Sequence, residues 1–330
     1  MKSLVKIPKD AELPLIGLVQ VGIIDRGTNL LQLRPTSICN LNCIFCSTDA
    51  GIFSKYHVTE YIVEKNYFID WLKEVMKFKG RIHAFLDSVG EIFTHPKILD
   101  IISEISQLDG IESVAIETNG VLLNEEKIDE LEELKLSHIN LSLHALDDEL
   151  NKKLVGCEEY STERIIEIIR YIAGSKIDLT LTPVWVPGLN DEEIPKIIEF
   201  AKAEIKNKKF PILGIQKYEA HKFGRKPKGV KPISWFKFFK QLEEWEKRFG
   251  VKLKISPLDF GIVKTEPLPT VFKVGEKVNV EIKARGWMAN EMIGVARERS
   301  ITIVNCKENV GKILKVRILR NADNIYIARK

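Results

Sequence analysis

Cysteine is scarce and unevenly spread in this chain: five residues in 330, three of them within eight positions of one another. An odd number of thiols with three crowded together does not make a disulfide framework and fits a reducing compartment. No run of about eighteen apolar residues occurs, so no segment should cross a bilayer as a helix. The opening MKSLVKIPKDAELP meets acidic and proline residues too early for a secretory leader, and a soluble cytoplasmic protein with no membrane association is expected. Internal repeats and low-complexity stretches are absent. Glutamine is also scarce while Lys, Glu and Ile are abundant, a bias of heat-adapted proteins. What is present, 45% hydrophobic and 29% charged residues, suits a globular protein long enough for one large domain and a small one.

The net charge of +4 conceals an asymmetry. Residues 271–330 hold 13 Lys and Arg against 6 Asp and Glu, a surplus of +7, which leaves −3 for the preceding 270 residues. A basic segment on a mildly acidic body points to a polyanionic partner.

From 29 to about 250, strand-like runs alternate with amphipathic helical patterns. The strands are read at 30–38, 82–89, 113–118, 138–144, 177–186 and 211–218, and the helices at 61–78, 96–107, 124–135, 162–173, 191–204 and 234–248. Such alternation predicts βαβ units and a parallel sheet, curled by right-handed crossovers into a partial (βα)6 barrel, with an open sheet as the other form. Residues 1–28 form an N-terminal extension. SPLDFGIVKTEPLPT (256–270) reads as a linker, and the short alternating runs of 271–330 predict antiparallel strands in a small five-stranded barrel of the oligonucleotide-binding type.

The thiols are spaced Cys39-x3-Cys43-x2-Cys46. Three soft ligands on one loop suit an iron–sulfur cluster or zinc. A closed zinc site wants four ligands, and Cys157 and Cys306 lie far away in sequence. A cubane held by three thiolates leaves one iron open to another ligand. The loop follows the first strand of the βα series, on the face where parallel α/β folds place their chemistry.

This spacing after a first strand resembles the radical S-adenosylmethionine (SAM) superfamily, over residues 29 to about 220. Phe45 matches the aromatic that the family has before its third cysteine. SVGEIFTHP (88–96) is similar to the family's Gly-Gly-Glu-Pro segment. Gly90 and Glu91 match it, while Val89 and Ile92 depart. ETNGVLL is similar to the turn after strand three, with Thr118 and Asn119. INLSLHALDDELNKKLVG resembles strand four, where Ser142 and His144 fall on one side. The resemblance implies a 4Fe-4S cluster on Cys39, Cys43 and Cys46, and SAM contacts from Phe45, Gly90, Glu91, Thr118, Asn119, Ser142 and His144. It also implies an electron donor such as a ferredoxin or flavodoxin, and reductive cleavage of SAM to a 5′-deoxyadenosyl radical that takes hydrogen from an unactivated carbon.

Residues 271–330 resemble a TRAM domain, the small barrel of several tRNA-modifying enzymes. Arg285, Trp287, Arg297 and Arg299 are its expected RNA contacts. A second basic stretch, 216–231, carries a surplus of +5. It offers Lys222, Arg225 and Lys226 to RNA and Tyr218 and His221 to the reacting group. WFKFFKQLEEW (235–245) reads as a packed helix face rather than a stacking platform. Cys157 is the one thiol of the α/β segment able to serve in methyl transfer. The three extra cysteines of methylthiotransferases are missing from 1–38, as is the second cysteine set of wyosine-type enzymes. The expectation is an enzyme that modifies RNA, tRNA foremost. The other readings are radical chemistry on a small metabolite or peptide, with the barrel as a docking module, and a non-catalytic zinc protein that binds RNA.

Overall fold

Alternation of apolar and polar residues sets the face of each strand, and the computed structural model describes residues 2–330. In chain order come β1 (Ser3–Ile7), β2 (Gly22–Asp25), β3 (Leu30–Arg34), β4 (Thr59–Val63), α1 (Lys65–Lys79) and β5 (Ile82–Leu86). Then follow α2 (Ile98–Ser106), β6 (Ile111–Thr118), α3 (Glu125–Glu133), β7 (His138–Leu141), α4 (Asp148–Val155) and α5 (Thr162–Gly174). β8 (Asp178–Leu181), β9 (Val184–Trp185), α6 (Glu193–Glu204), β10 (Gln216–Lys217) and α7 (Trp235–Phe249) complete the α/β part. The chain closes with β11 (Lys277–Arg285), β12 (Met292–Ala296), β13 (Arg299–Val304), β14 (Ile313–Arg320) and β15 (Ile327–Arg329).

Six strands form one sheet in the order β2-β3-β5-β6-β7-β8. β2 is antiparallel to β3, and the pairs β3–β5, β6–β7 and β7–β8 are parallel. This is the expected partial barrel, with its sixth strand much reduced. Within 211–218, Leu213 bridges Leu181 and only Gln216–Lys217 pair, with Val184–Trp185. Pro183 and Pro211 cannot donate to a ladder, which breaks the pairing on both sides. Helix α4 is an addition that the periodicity did not reveal. Asp147 caps its start and Gly156, left-handed at φ 64°, ends it.

Two compact units emerge. One contains the residues up to Cys39, Ser54–Ser113 and Ile262–Lys330; the other contains Asn40–Phe53 and Val114–Gly261. The expected catalytic segment 29–255 thus contributes to both.

In the first unit a buried ion pair ties distant segments. Lys79 Nζ lies 3.1 Å from Asp25 and donates to Thr265 Oγ1 at 2.8 Å and to the Glu266 carbonyl at 2.6 Å. Asp25 in turn accepts the amides of Gly27 and Leu268 at 2.9 and 2.7 Å. Full hydrogen bonding is what makes a buried pair tolerable. It also docks residues 263–268, part of the expected linker, onto the sheet.

The C-terminal strands form a closed barrel, β11-β12-β13-β15-β14. Val278, Val280, Ile282, Ile301, Ile303 and Tyr326 fill its core. Ser300 fastens the barrel to the N-terminal segment of its unit, donating from N to the Ile16 carbonyl at 2.9 Å and from Oγ to the Pro14 carbonyl at 2.6 Å.

In the second unit α5 presents Ile165, Ile168, Ile169 and Ile172 on one buried face, after an N-cap from Ser161 to the Arg164 amide. At about 1.5–3 kcal/mol per buried side chain, that face alone accounts for the helix's attachment.

Candidate active site at the cysteine loop

The loop after β3 carries Cys39, Cys43 and Cys46, all reduced and half-buried. Helix α4 holds part of its backbone: the amides of Asn42 and Ile44 donate to the Val155 and Leu154 carbonyls at 3.0 and 2.9 Å. Gly156 makes this approach possible, since a Cβ there would lie 2.3 Å from the Asn42 carbonyl oxygen. The Ala50 amide donates to Cys46 Sγ at 3.3 Å, and Thr48 Oγ1 lies 3.4 Å from the same sulfur. A sulfur approached by donors is prepared to be a thiolate ligand.

Arg225 closes the loop from the far end of the second unit. Its amide donates to the Cys46 carbonyl at 2.8 Å, Nη1 donates to the Cys43 carbonyl at 3.1 Å and Nη2 to the Ala50 carbonyl at 2.5 Å. Its Nε sits 2.7 Å from the carboxylate of Asp49, a buried residue with left-handed backbone. Arg225 was expected to meet RNA. The structure instead spends every arm of its guanidinium on the cysteine loop. A lone arginine in a basic run gave no signal of this.

Gly90 and Glu91 lie against the stem of the loop. The Glu91 amide donates to the Ile38 carbonyl at 2.7 Å, and a Cβ on Gly90 would fall 2.2 Å from that same oxygen. Only glycine permits this contact. The Glu91 carboxylate is buried and caps a short 3-10 turn, accepting from the Phe93 amide at 3.1 Å.

Glu117, Asn140 and Thr180 are register partners across β6, β7 and β8. Their neighbours Ile116, Ile139 and Leu179 are fully buried, so the polar residues share the opposite face. Ser142 and Thr182 follow at the C-terminal ends of β7 and β8, their amides donating to the Thr118 and Leu141 carbonyls at 3.0 and 2.9 Å. Asn140 Oδ1 and Thr182 Oγ1 are buried without a hydrogen-bond partner among the described residues. Buried polar atoms want partners, and a polar ligand would satisfy both. Neither residue was singled out from sequence, although Asn140 sits two before Ser142 in the same alternation. Thr118 is buried and receives the Gly120 amide at 3.1 Å, and Asn119 donates to Asn40 at 2.8 Å, tying its turn to the loop.

Phe45 and His144, expected to touch the cofactor, are both buried. Their rings meet edge to face at 4.8 Å. The Val184 amide donates to His144 Nδ1 at 3.1 Å, placing the ring proton on Nε2, and burial lowers the pKa to about 4. Phe45 packs with Ala145, Leu154, Val186 and Tyr218. The Tyr218 hydroxyl is buried without a partner among the described residues, and burial raises its pKa. Cys157 sits 3.4 Å from Glu159, and burial, then that hydrogen bond, raises its pKa away from the nucleophilic thiolate. His221 is exposed.

The sequence profile of the Radical SAM superfamily matches residues 33–201. The chain belongs to the radical SAM superfamily. It is 42% identical over 339 aligned positions to the uncharacterised protein MJ0103 of Methanocaldococcus jannaschii, covering 96% of this chain and 78% of that one. It is 26% identical over 181 residues to the GTP 3′,8-cyclase of Aquifex aeolicus, covering 54% of each. The chain therefore spans about half the length of that cyclase. Among solved structures, SuiB of Streptococcus suis superimposes with a TM-score of 0.53 at 18% identity, over 69% of this chain and 48% of SuiB, a likeness of fold.

Radical SAM enzymes use a 4Fe-4S cluster and SAM and need an electron donor. The donor set fits that cluster: three thiols, none in a disulfide, at the family's spacing, one of them, Cys46, approached by the Ala50 amide. Among the described residues no three His, Cys, Asp or Glu side chains converge on a single ion. A cubane takes its thiolates on separate irons and needs no such convergence. When bound, the two groups supply reductive radical chemistry. The chain's own part is to hold the loop through Arg225 and α4, brace Phe45 with His144, and present the polar row of β6–β8. No helix among the described residues is long and apolar enough to cross a membrane.

The expected RNA contacts of the barrel fare differently. Trp287 is only 7% exposed and stacks on His57 at 3.7 Å, so its ring offers no face to a base. Arg297 pairs with Glu276 at 2.7 Å and lies over Phe272, and Arg299 donates to the carbonyls of Glu298 and Pro269. Arg285 remains exposed while its carbonyl accepts from Tyr61, and Lys222 and Lys226 are exposed. A different set forms the basic surface: Lys277, Lys315, Arg317, Arg329 and Lys330 line a groove of about 440 Å³.

Proposed function

We propose that this protein is a radical SAM enzyme that modifies RNA, with tRNA the first substrate to test, and that its C-terminal barrel, TRAM-like in pattern, is the RNA-holding module. One observation carries the reading. Register places Lys277 opposite Arg317 and Arg317 opposite Arg329, a like-charged row across β11, β14 and β15. Like charges facing across strands are destabilising, and a polyphosphate backbone relieves that repulsion while releasing counterions. The test is anaerobic incubation of the reconstituted protein with SAM, a reductant and total tRNA. RNA-dependent formation of 5′-deoxyadenosine, with a changed nucleoside profile, is expected. Formation that ignores RNA would overturn the reading.

A second reading has its own support. The Aquifex aeolicus relative is named for a reaction on GTP, so a small nucleotide or other metabolite is the competing substrate class. The same assay with a nucleotide panel separates the two.

A further inference from the structure

Helix α7 divides its large apolar residues into two sets. Phe238, Leu242, Trp245 and Phe249 are buried and pack it down. Trp235, Phe236 and Phe239 are 54%, 78% and 43% exposed, all within the first turns. The helix was expected to bury its aromatic face, and it buries only half of it. Large exposed rings grouped on a rigid helix are unusual on a surface that meets water alone.

The rings are also held in place. Trp235 and Phe239 stack at 5.6 Å with an interplanar angle of 25°. Trp235 packs edge to face on buried Phe238 at 5.7 Å, and Phe238 leans on Trp185 at 6.0 Å. Lys217 Nζ stands 4.7 Å from the Trp235 ring centre. The set is therefore preorganised, so little conformational entropy is lost when a flat ligand stacks on it.

The stretch that carries the exposed rings is basic, bounded by Glu219, which pairs with Lys217 at 2.5 Å, and by Glu243 further along the helix. Residues 220–242 contain seven Lys and Arg and no Asp or Glu. Arg225 is committed to the cysteine loop, but Lys222, Lys226, Lys228, Lys231, Lys237 and Lys240 are exposed. Exposed aromatic faces interleaved with cations are what single-stranded nucleic acid requires: π-faces for unpaired bases and cations for the backbone. A duplex hides its base faces and uses only the cations. We infer that the N-terminal half of α7, with the basic segment before it, is a stacking surface for an unpaired RNA stretch. The inference rests on the RNA reading above and adds to it the strandedness of the substrate.

The experiment uses the full-length protein, handled anaerobically, and a labelled single-stranded 12-mer RNA compared with its duplex by fluorescence anisotropy across a salt series. Trp235→Ala/Phe236→Ala should weaken single-strand binding about ten-fold, leaving duplex binding and the salt slope unchanged. Lys231→Glu/Lys237→Glu should weaken both and flatten the slope by about one to two. Trp235→Phe/Phe236→Tyr keeps the π-faces and should bind as the parent does, which separates stacking from a folding defect. If the double alanine variant is folded and binds the single strand as tightly as the parent, the stacking surface is refuted. RNA-dependent 5′-deoxyadenosine formation would then still stand. Failure of the parent protein to bind any RNA refutes both.

Discussion

Arg225 Nε and the Asp49 carboxylate meet at 2.7 Å, and the same guanidinium donates to carbonyls on both sides of Cys46. A residue 182 positions after Cys43 thus fixes the backbone that carries two of the three thiols. Removing one member of a buried ion pair typically costs about 3–5 kcal/mol, and here that loss falls on the loop. Arg225→Ala should bind well under the parent's iron after anaerobic reconstitution, and amides 43–50 should exchange faster in the metal-free protein. Arg225→Lys, with one compact charge for three arms, should recover the iron only in part. Iron analysis and hydrogen exchange check this.

Gly90 touches the stem of the loop with no room to spare. Gly90→Ala places a methyl 2.2 Å from the Ile38 carbonyl oxygen, so backbone must shift. We expect a lower melting temperature and SAM affinity reduced at least about ten-fold by calorimetry. Gly188→Ala, in open space but at φ 81°, should show only the backbone strain.

His138 and His144 give a signed pH dependence. Burial lowers both to about 4, and Asp178 partly offsets it for His138. Between about 6.5, the ordinary value, and 4 the unfolded chain holds protons that the folded chain refuses. Stability is therefore full above that window and falls as pH drops through it, by up to about 3 kcal/mol for each ring. Denaturant titrations from pH 7 to 4 should show the decline, and His138→Gln should make it shallower.

The barrel's cation row yields two opposed effects. Arg317→Glu would face Lys277 and Arg329 across the ladder. Each new pair should add about 0.2–1 kcal/mol, raising thermal stability, while tRNA affinity and its salt dependence fall. A variant that gains stability without losing affinity would count against the RNA reading.

Much of this was legible beforehand. Period two in the strands and the βα alternation located the sheet, and the cysteine spacing located the loop. The roles of single residues were less legible, because type and local spacing do not encode what lies opposite in space. Arg225 and Trp287 look like surface residues in sequence. One is drawn inward by Asp49 and the other by His57, both from remote segments. Conversely, the aromatic run at 235–239 looks like core, yet only Phe238 of its four rings is buried. Lys277, Arg317 and Arg329 are separated by loops, and their alignment exists only once register is set.

The Asp25–Lys79 knot has a consequence for biosynthesis. Its remaining ligands, Thr265, Glu266 and Leu268, are translated at least 186 residues after Lys79. The pair of Asp25 and Lys79 is therefore completed only after the second unit has been made. Residues 40–53 and 114–261 can mature while translation continues, whereas the first unit waits with its charged pair half-clothed until residues 265–268 emerge.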